Sequence, residues 1–360
     1  MKNALCFLMI IVFFGCSESK KNNIYKSKLV NNKQLIKKDS LVFYYKGDRF
    51  VGEARYLISF RNNILISDLY KKCIWIFDKK LNFIKVLGND GRGPGEYRYP
   101  PKLINDNNQR LFASSDKFID EYDSNFTFIG RKKLPSQFEY ENIDPILLHN
   151  RFIFNVAYPY SIVENEYFKK YKPLAAIDRD KLTVDTTFDS WDDNYFKEDL
   201  QAYTRNNSEA LLTKKDSNSL FVLQRGSQNI KLYDKNYNLL KTFGRKQKYF
   251  RNPPKIKLID TQRNVESLAD FMGKITYYMK IEYDETTKYF YLAYNNLDPN
   301  YYLNRSFDFG KQYIQVYNED YDVVFDGNID GRLVFVEANK IYTLSKMEDK
   351  LLKINIYELL

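Results

Sequence analysis

Residues 74–88 read IWIFDKKLNFIKVLG, and the pattern returns at residues 230–244 as IKLYDKNYNLLKTFG. Six positions are identical between the two stretches, among them Asp78 with Asp234 and the closing glycines. In both copies an alternating apolar run meets an aspartate, whose side chain can close a turn on its own backbone. A second alternating run follows, so each copy predicts a β-hairpin.

The hairpin pattern recurs along the chain. Weaker copies occur at residues 119–129, around Ile177, and at residues 314–325, where Asn318 replaces the aspartate. The four aspartates at the turns are 45, 55 and 56 residues apart, in the order Asp78, Asp123, Asp178 and Asp234. Four-stranded units of about 52 residues that are arranged radially form a β-propeller. The sequence therefore predicts an all-β fold, most simply six blades of four antiparallel strands, with seven blades left open.

The repeat is interrupted between Asp234 and Asn318, which are 84 residues apart. This step predicts either a degenerate blade or an insertion around residues 262–275, the stretch with helix-like spacing of its apolar residues.

The N-terminus predicts export and a lipid anchor. One lysine precedes an unbroken apolar run from Ala4 to Phe14, which is too short to span a bilayer as a helix. Gly15 and Cys16 stand where this run stops, and they resemble the lipobox of bacterial lipoproteins, although Phe13 replaces the usual leucine. The resemblance implies acylation of Cys16; the alternative is an ordinary secretory signal. We expect a signal peptide at 1–15, the lipidated cysteine and a polar tether at 16–38, and a propeller domain at 39–360.

The formal charge of +10 does not indicate a nucleic-acid partner. The 56 Lys and Arg residues are scattered among 46 acidic ones, and they form no basic stripe. The predicted partners are instead the membrane, through the lipid, and a glycan, a peptide or an envelope protein. The expected location is the cell envelope, at the outer membrane, with the leaflet left open.

A glycine-rich stretch follows the first hairpin. Its notable residues are Gly88, Gly91, Gly93, Pro94, Gly95 and Glu96, with Tyr97 directly after them. The stretch resembles the G-x-G-x-G-P-G-E-[FY] signature of six-bladed β-propeller lipoproteins of Bacteroidota, which are related to NHL-repeat propellers. The resemblance implies the propeller fold and an envelope location, and it brings no established activity. From the residues alone, the loop is either a blade connection that needs glycines for positive φ or an anion cradle of backbone N–H groups.

Residues 326–337 fit a twelve-residue calcium loop. Asp326, Asn328 and Asp330 supply oxygen ligands, Gly331 allows the sharp turn, and Glu337 closes the pattern. The flanking runs alternate like strands, whereas such a loop in an EF-hand lies between helices. The two predictions are a calcium site and, preferred, a plain hairpin within a blade. No other cofactor is expected.

The loop at residues 189–195 groups an aromatic ring with three carboxylates: Asp189, Trp191, Asp192 and Asp193. Such a loop could stack on a sugar and bind its hydroxyls, or present paired acids for glycoside hydrolysis. The alternative is a solvated connection between blades.

Few residues suit nucleophilic catalysis. His149 is the one histidine, so a zinc site built on several histidines is excluded. Cys73 lies in a strand-like run and is expected to be buried. The leading hypothesis is therefore a non-catalytic, lipid-anchored propeller that binds a ligand or protein. The alternatives are a glycan-active enzyme that uses the carboxylates near Trp191, and a structural subunit of an envelope complex.

Overall fold

The computed structural model describes residues 24–30, 32–45, 50–106, 109–140, 144–157, 165–205, 207–256, 264–298, 311–345 and 351–360. Its strands in chain order are β1 (Tyr25–Lys26), β2 (Leu35–Tyr44), β3 (Ala54–Phe60), β4 (Asn63–Asp68), β5 (Ile74–Asp78), β6 (Phe83–Leu87), β7 (Lys102–Asp106), β8 (Arg110–Ser115), β9 (Phe118–Tyr122), β10 (Phe128–Lys133), β11 (Glu139–Tyr140), β12 (Ile146–Leu148), β13 (Arg151–Ala157), β14 (Leu174–Asp178), β15 (Val184–Phe188), β16 (Ala210–Asp216), β17 (Ser219–Gln224), β18 (Ile230–Asp234), β19 (Leu239–Gly244), β20 (Thr276–Asp284), β21 (Tyr289–Asn296), β22 (Lys311–Tyr317), β23 (Val323–Ile329), β24 (Arg332–Glu337), β25 (Lys340–Leu344) and β26 (Leu351–Leu359).

These strands form six sheets, each with a four-stranded antiparallel core. Blade 1 holds β3–β6, blade 2 β7–β10, blade 3 β12–β15, blade 4 β16–β19 and blade 5 β20–β23. Blade 6 holds β24–β26 and takes β2 as its fourth strand. The first strands of the blades contact one another in a closed ring: β3, β7, β12, β16, β20, β24 and again β3. The predicted β-propeller is confirmed, with six blades around a central channel.

The N-terminal strand closes the ring. β2 pairs with β26 from Leu35 opposite Leu359 to Tyr44 opposite Leu351. The fold therefore starts earlier than the predicted boundary at residue 39, because Leu35 already packs into the core between blades 5 and 6. Further upstream, β1 pairs with β19, so the second half of the predicted tether belongs to the propeller. The signal peptide and Cys16 lie outside the described residues.

The connections divide between two ends of the propeller. We call one end the turn face; it carries the turns between first and second and between third and fourth strands. The opposite end, the insertion face, carries the second-to-third connections and the links to the next blade. This division follows from the antiparallel order of each sheet.

The predicted aspartate turns are confirmed, and all lie on the turn face between third and fourth strands. Asp234 Oδ1 accepts hydrogen bonds from the backbone N–H groups of Asn236 at 2.9 Å and Asn238 at 2.8 Å. Equivalent bonds close the turns of the other blades at Asp78, Asp123, Asp178 and Asn318. Blade 6 has no such turn, because its fourth strand comes from the other end of the described chain.

The long step after Asp234 is an insertion. The link from β19 to β20 contains a helix, α3 (Val265–Met272), and Asn264 caps its N-terminus through a 2.7 Å bond from the Ser267 N–H. Further helices occupy the insertion face above blade 3 and the link to blade 4: α1 (Asn165–Lys170), two short 3-10 helices (Asp193–Phe196 and Glu198–Leu200) and α2 (Gln201–Arg205).

Apolar clusters fill the spaces between neighbouring blades. Between blades 4 and 5, Phe221, Phe243 and Phe290 meet edge to face, with ring centroids 4.9 to 6.0 Å apart. Cys73 packs between blades 6 and 1, where burial raises the pKa of its thiol to about 12. The predicted burial of Cys73 is confirmed.

None of the helices in the described ranges has the length and the apolar composition that crossing a membrane would require.

Candidate functional site

The central channel contains a cavity of about 630 Å³. Every blade contributes to its wall through its first strand, with Leu57, Leu103, Ile146, Leu211, Met279 and Leu333 as the apolar part. The volume falls within the range of roughly 300–1,000 Å³ that is typical of small-molecule sites.

The wall also carries charges of both signs. The cations are Arg55, Lys214, Arg225, Lys280 and Arg332, and the acids are Asp144, Glu209, Glu282, Glu285 and Glu337. Charged side chains are rare inside proteins unless they are paired. Six of these ten charged side chains form ion pairs: Lys280 with Glu282 and Asp144, Arg225 with Glu209, and Glu337 with Lys79.

Lys280 lies at the centre of one ion-pair group. Its Nζ lies 3.1 Å from a carboxylate oxygen of Glu282 and 3.5 Å from one of Asp144. Lys280 and Glu282 are two residues apart on β20, so their side chains share the face that lines the channel. Burial lowers the pKa of Lys280, but the two carboxylates outweigh burial and raise it overall. Burial raises the pKa of Glu282, and Lys280 offsets part of that rise. Asp144 Oδ1 has no hydrogen-bond partner within the described chain.

A second group lies at the insertion-face end of the channel, which we call the channel mouth. The guanidinium of Arg225 bonds the Glu209 carboxylate and the Tyr277 hydroxyl. It also lies over the Tyr277 ring, 4.5 Å from the centroid. Arg332 at the mouth donates to the carbonyl oxygen of Ala54 at 2.7 Å and so ties blade 6 to blade 1.

At the turn-face end of the channel, Glu337 pairs with Lys79. Lys79 also donates to the Ser59 hydroxyl at 2.8 Å. The channel thus has an ion pair at each end: Arg225 with Glu209 within blade 4 at the mouth, and Glu337 with Lys79 between blades 6 and 1 at the turn-face end.

Exposed aromatic side chains concentrate at the insertion-face end of the propeller. Of the eight exposed aromatic residues in the described chain, seven lie on or beside the insertion face: Tyr44, Phe50, Tyr70, Tyr99, Phe118, Phe196 and Tyr249. Phe128 is on the turn side. Apart from Ala338, the other exposed residues of the described turns there are polar, such as Lys80, Asp180 and Lys235.

The glycine-rich loop links blade 1 to blade 2 on the insertion face. Gly88 and Gly95 have φ values of 72° and 77°, as a turn that needs glycine requires. The loop amides do cradle an anion, but it is the carboxylate of Glu96. Glu96 Oε2 accepts from the N–H groups of Arg92 at 3.0 Å and Gly93 at 2.8 Å. These bonds lower the pKa of Glu96, with that from Gly93 as the largest cause.

Other residues of the signature hold the loop against blade 2. The Gly95 N–H donates to Asp120 at 3.2 Å, and the hydroxyls of Tyr97 and Tyr122 lie 2.7 Å apart. Arg131 binds Asp120 through two nitrogens and also donates to the carbonyl oxygen of Glu96. The loop therefore serves as a self-contained blade connection. Pro94 is exposed, and Gly91 packs against the Glu96 side chain.

The loop at 189–195 is packed into the protein. Asp189 is buried and accepts hydrogen bonds from Gln224 at 2.6 Å, Lys231 at 2.8 Å and Tyr233 at 2.6 Å. Lys231 also pairs with Asp192 at 2.7 Å. Burial lowers the pKa of Lys231, but the two carboxylates outweigh it and raise the pKa overall.

Trp191 is likewise enclosed. Its side chain packs against Phe168 and Tyr195, and its Nε1 donates to the carbonyl oxygen of Tyr171 at 2.9 Å. Because only 7% of the residue is exposed, its ring offers no platform to a sugar. Asp193 is exposed at the start of a 3-10 helix. The expected solvated connection was therefore wrong for Asp189 and Trp191, which α1 and blade 4 cover.

The calcium pattern is split between two blades. Asp326 and Asn328 lie in β23, the last strand of blade 5, and Glu337 ends β24, the first strand of blade 6. The preferred alternative of a hairpin within one blade was therefore wrong. Asp326 accepts a hydrogen bond from the Tyr294 hydroxyl at 2.7 Å. Glu337 pairs with Lys79 at the end of β24, whereas Asp330 precedes the start of that strand. The described residues hold no group of three or more His, Cys, Asp or Glu side chains placed to bind a metal.

His149 lies in the turn between β12 and β13. It is exposed on the turn face, at the end of the propeller opposite to the channel mouth. The sequence reasoning missed Arg225, Glu209 and Lys280, because their partners come from other strands and blades. The sequence did contain one signal: Lys280 and Glu282 carry opposite charges two residues apart within a strand that is rich in tyrosine.

Fold and channel together define the chain as a six-bladed β-propeller. It resembles a solved member of the DUF4221 family from Bacteroides vulgatus, with a TM-score of 0.69 at 13% identity over 92% of this chain and 99% of that one. It also resembles a Bacteroides fragilis protein named "Putative exported protein", with a TM-score of 0.58 at 13% identity over 92% and 98%. No protein-family model and no curated protein matches the sequence. The Bacteroides neighbours agree with the expected resemblance to six-bladed propellers of Bacteroidota, whereas the lipoprotein character and the link to NHL repeats stay predictions.

Proposed function

We propose that this chain is an exported, lipid-anchored binding module without catalytic activity. It binds a protein or peptide partner of the cell envelope through the insertion face, with the channel mouth at the centre of the contact. Acylation of Cys16 holds it at the outer membrane.

The asymmetry of the two faces carries this proposal. The insertion face collects the helices, seven exposed aromatic side chains and the Arg225 end of a channel cavity of about 630 Å³. Aromatic residues and arginine are the residue types that most often dominate binding energy at protein interfaces. The turn face has short polar turns, which suit solvent.

The chemistry favours a polypeptide over a neutral glycan. Arg225, Glu209 and Tyr277 at the mouth offer a charge of each sign beside an aromatic ring. A peptide can match both charges and ring, whereas Trp191, the ring expected to stack on a sugar, is covered.

Site-specific photocrosslinking in cells of the source organism tests the insertion face. A photoreactive phenylalanine analogue replaces Tyr70, Tyr99 or Phe196, and Phe128 serves as the matched exposed position on the other side. We expect discrete crosslinked products from the three insertion-face positions and none from position 128. Equal products from both faces, or none from the insertion face, would refute the proposal.

Fractionation tests the anchor separately. The Cys16→Ser variant should leave the membrane fraction or keep its signal peptide, whereas wild type stays with the membrane. Normal processing with unchanged membrane retention would show that Cys16 is not the anchor.

A further inference from the structure

The N-terminal segment wraps the outer edges of three blades. At blade 4, β1 pairs in parallel with β19, with Tyr25 opposite Phe243. At blade 5, Leu29 forms a parallel bridge to Val323. At blade 6, β2 becomes the fourth strand.

Side-chain bonds fix the start of this segment. The Tyr25 hydroxyl donates to Asp322 Oδ1 at 2.9 Å, and the Lys28 N–H donates to the same oxygen at 2.7 Å. The Lys28 carbonyl accepts from the Val323 N–H at 2.8 Å. The chain is therefore attached to the propeller from Tyr25 onward.

This attachment limits how far the propeller can lie from the bilayer. From Cys16 to Tyr25 there are nine peptide units, which reach about 30 Å at full extension. A free tether to residue 38 would have reached about 75 Å. The outer edges of blades 4 and 5, where Tyr25 binds them, are consequently held within about 30 Å of the acylated cysteine.

The surface that this segment forms along the outer edges of blades 4 and 5 has the composition of a membrane-contacting surface. Its exposed cations are Lys26, Lys28, Arg245, Lys246 and Lys248. Its exposed apolar residues are Ile24, Leu29, Val30 and Leu240. Asp322 is occupied by Tyr25 and Lys28, while Glu319 and Asp320 are exposed on the neighbouring turn. Basic side chains close to a membrane surface are attracted to anionic lipid headgroups. We call these nine residues the anchor edge.

We infer that the anchor edge docks on anionic lipid headgroups, so that the propeller stands on its blade 4 side. The insertion face then opens sideways along the membrane, toward neighbouring envelope proteins. The inference rests on the proposed acylation of Cys16.

Fluorescence quenching on vesicles tests it. The lipidated full-length protein is reconstituted into phosphatidylcholine vesicles with or without phosphatidylglycerol, which carry a nitroxide quencher on the headgroup. A fluorophore is attached at Lys246→Cys or, across the ring on blade 1, at Ile84→Cys. Cys73 is buried and Cys16 is acylated, so the introduced thiol is the reactive one.

We expect several-fold stronger quenching at position 246 than at position 84 with the anionic lipid, and a smaller ratio without it. The charge reversals Lys26→Glu and Lys248→Glu, made together in the protein labelled at position 246, should remove the difference, whereas Lys80→Glu on blade 1 should not. Equal quenching at the two positions, or a difference that does not depend on phosphatidylglycerol, would overturn the inference. Such a result would leave the anchor intact, because loss of the anchor releases the whole protein from the vesicles.

Discussion

On the turn face, blades 1 to 5 close their outer hairpins through one Asp or Asn side chain, and the bonds reach only two to four residues along the chain. In the link from blade 3 to blade 4 on the insertion face, the equivalent support comes from a distance. Asp189 depends on Lys231, 42 residues later. Locally satisfied turns need no partner and tolerate solvent, whereas long connections must be buried against other blades before they can present a binding surface. The insertion face, where the connections vary, is therefore the face to which we assign the proposed binding function.

The largest effect that this comparison predicts is at Lys231. The Lys231→Met variant leaves the carboxylates of Asp189 and Asp192 inside the insertion face without their cation. Removing one partner of a buried ion pair costs about 3–5 kcal/mol. Urea denaturation should show that loss in the free energy of unfolding. Lys235→Met, on the turn four residues later, should change it by less than about 0.5 kcal/mol. Similar small changes in both variants would mean that the two faces are not supported differently.

The glycine-rich loop gives the next largest effect. A Cβ at Gly88 would lie 2.5 Å from the Tyr97 ring, and the residue has a φ of 72°. The clash and the left-handed backbone together should cost Gly88→Ala about 2–4 kcal/mol. Gly95 has a similar φ of 77°, but the nearest atom to its added Cβ is 3.8 Å away. Gly95→Ala should therefore cost about 1 kcal/mol. Thermal unfolding of both variants separates the cost of the clash with Tyr97 from the cost of the left-handed backbone. Equal losses of stability in the two variants would show that the clash contributes little.

The sequence predicts the turn face well because its signals are local. Asp78 and Asp234 bond backbone groups within four residues, so the repeat reveals both the turns and the blade size. The six-bladed fold follows, and so does the role of the glycine loop, whose bound anion is Glu96 of its own motif.

The sequence predicts the insertion face poorly because its contacts join distant segments. Trp191 looked exposed in a polar loop, yet Phe168, 23 residues earlier, covers it. The pairing of Arg225 with Glu209 and Tyr277 joins blades 4 and 5, and no motif marks it. The attachment of Tyr25 to Asp322 spans 297 residues, so a polar segment was interpreted as a tether.

The turn at Asp234 tests whether one side-chain acceptor stabilises a turn on the turn face, and the expected effect is smaller than at Gly88. Asp234→Ala removes the acceptor for the N–H groups of Asn236 and Asn238, and it should cost about 1 kcal/mol of unfolding free energy. Asp234→Asn keeps an acceptor oxygen and should cost only a few tenths of that value. Chemical denaturation at pH 7 measures both. Comparable losses would show that the charge, and not the acceptor, closes the turn.

The smallest effect is the pH dependence of the same turn. Partial burial raises the pKa of Asp234, but the donors of Asn238 and Asn236 outweigh it and lower the pKa overall. A carboxyl whose pKa is lower in the folded state stabilises the fold above its unfolded pKa of about 3.9, and it loses that contribution as the pH falls through the folded value. The stability difference between wild type and Asp234→Asn should therefore be present at pH 7 and shrink below about pH 4. The pKa of Glu282 in the channel shifts in the opposite direction, because burial raises it. Its ionisation is disfavoured in the fold, so it adds stability only at low pH. Paired denaturation curves from pH 7 to pH 3 check the turn, and a difference that stays constant over that range would mean that the turn does not select the ionised aspartate.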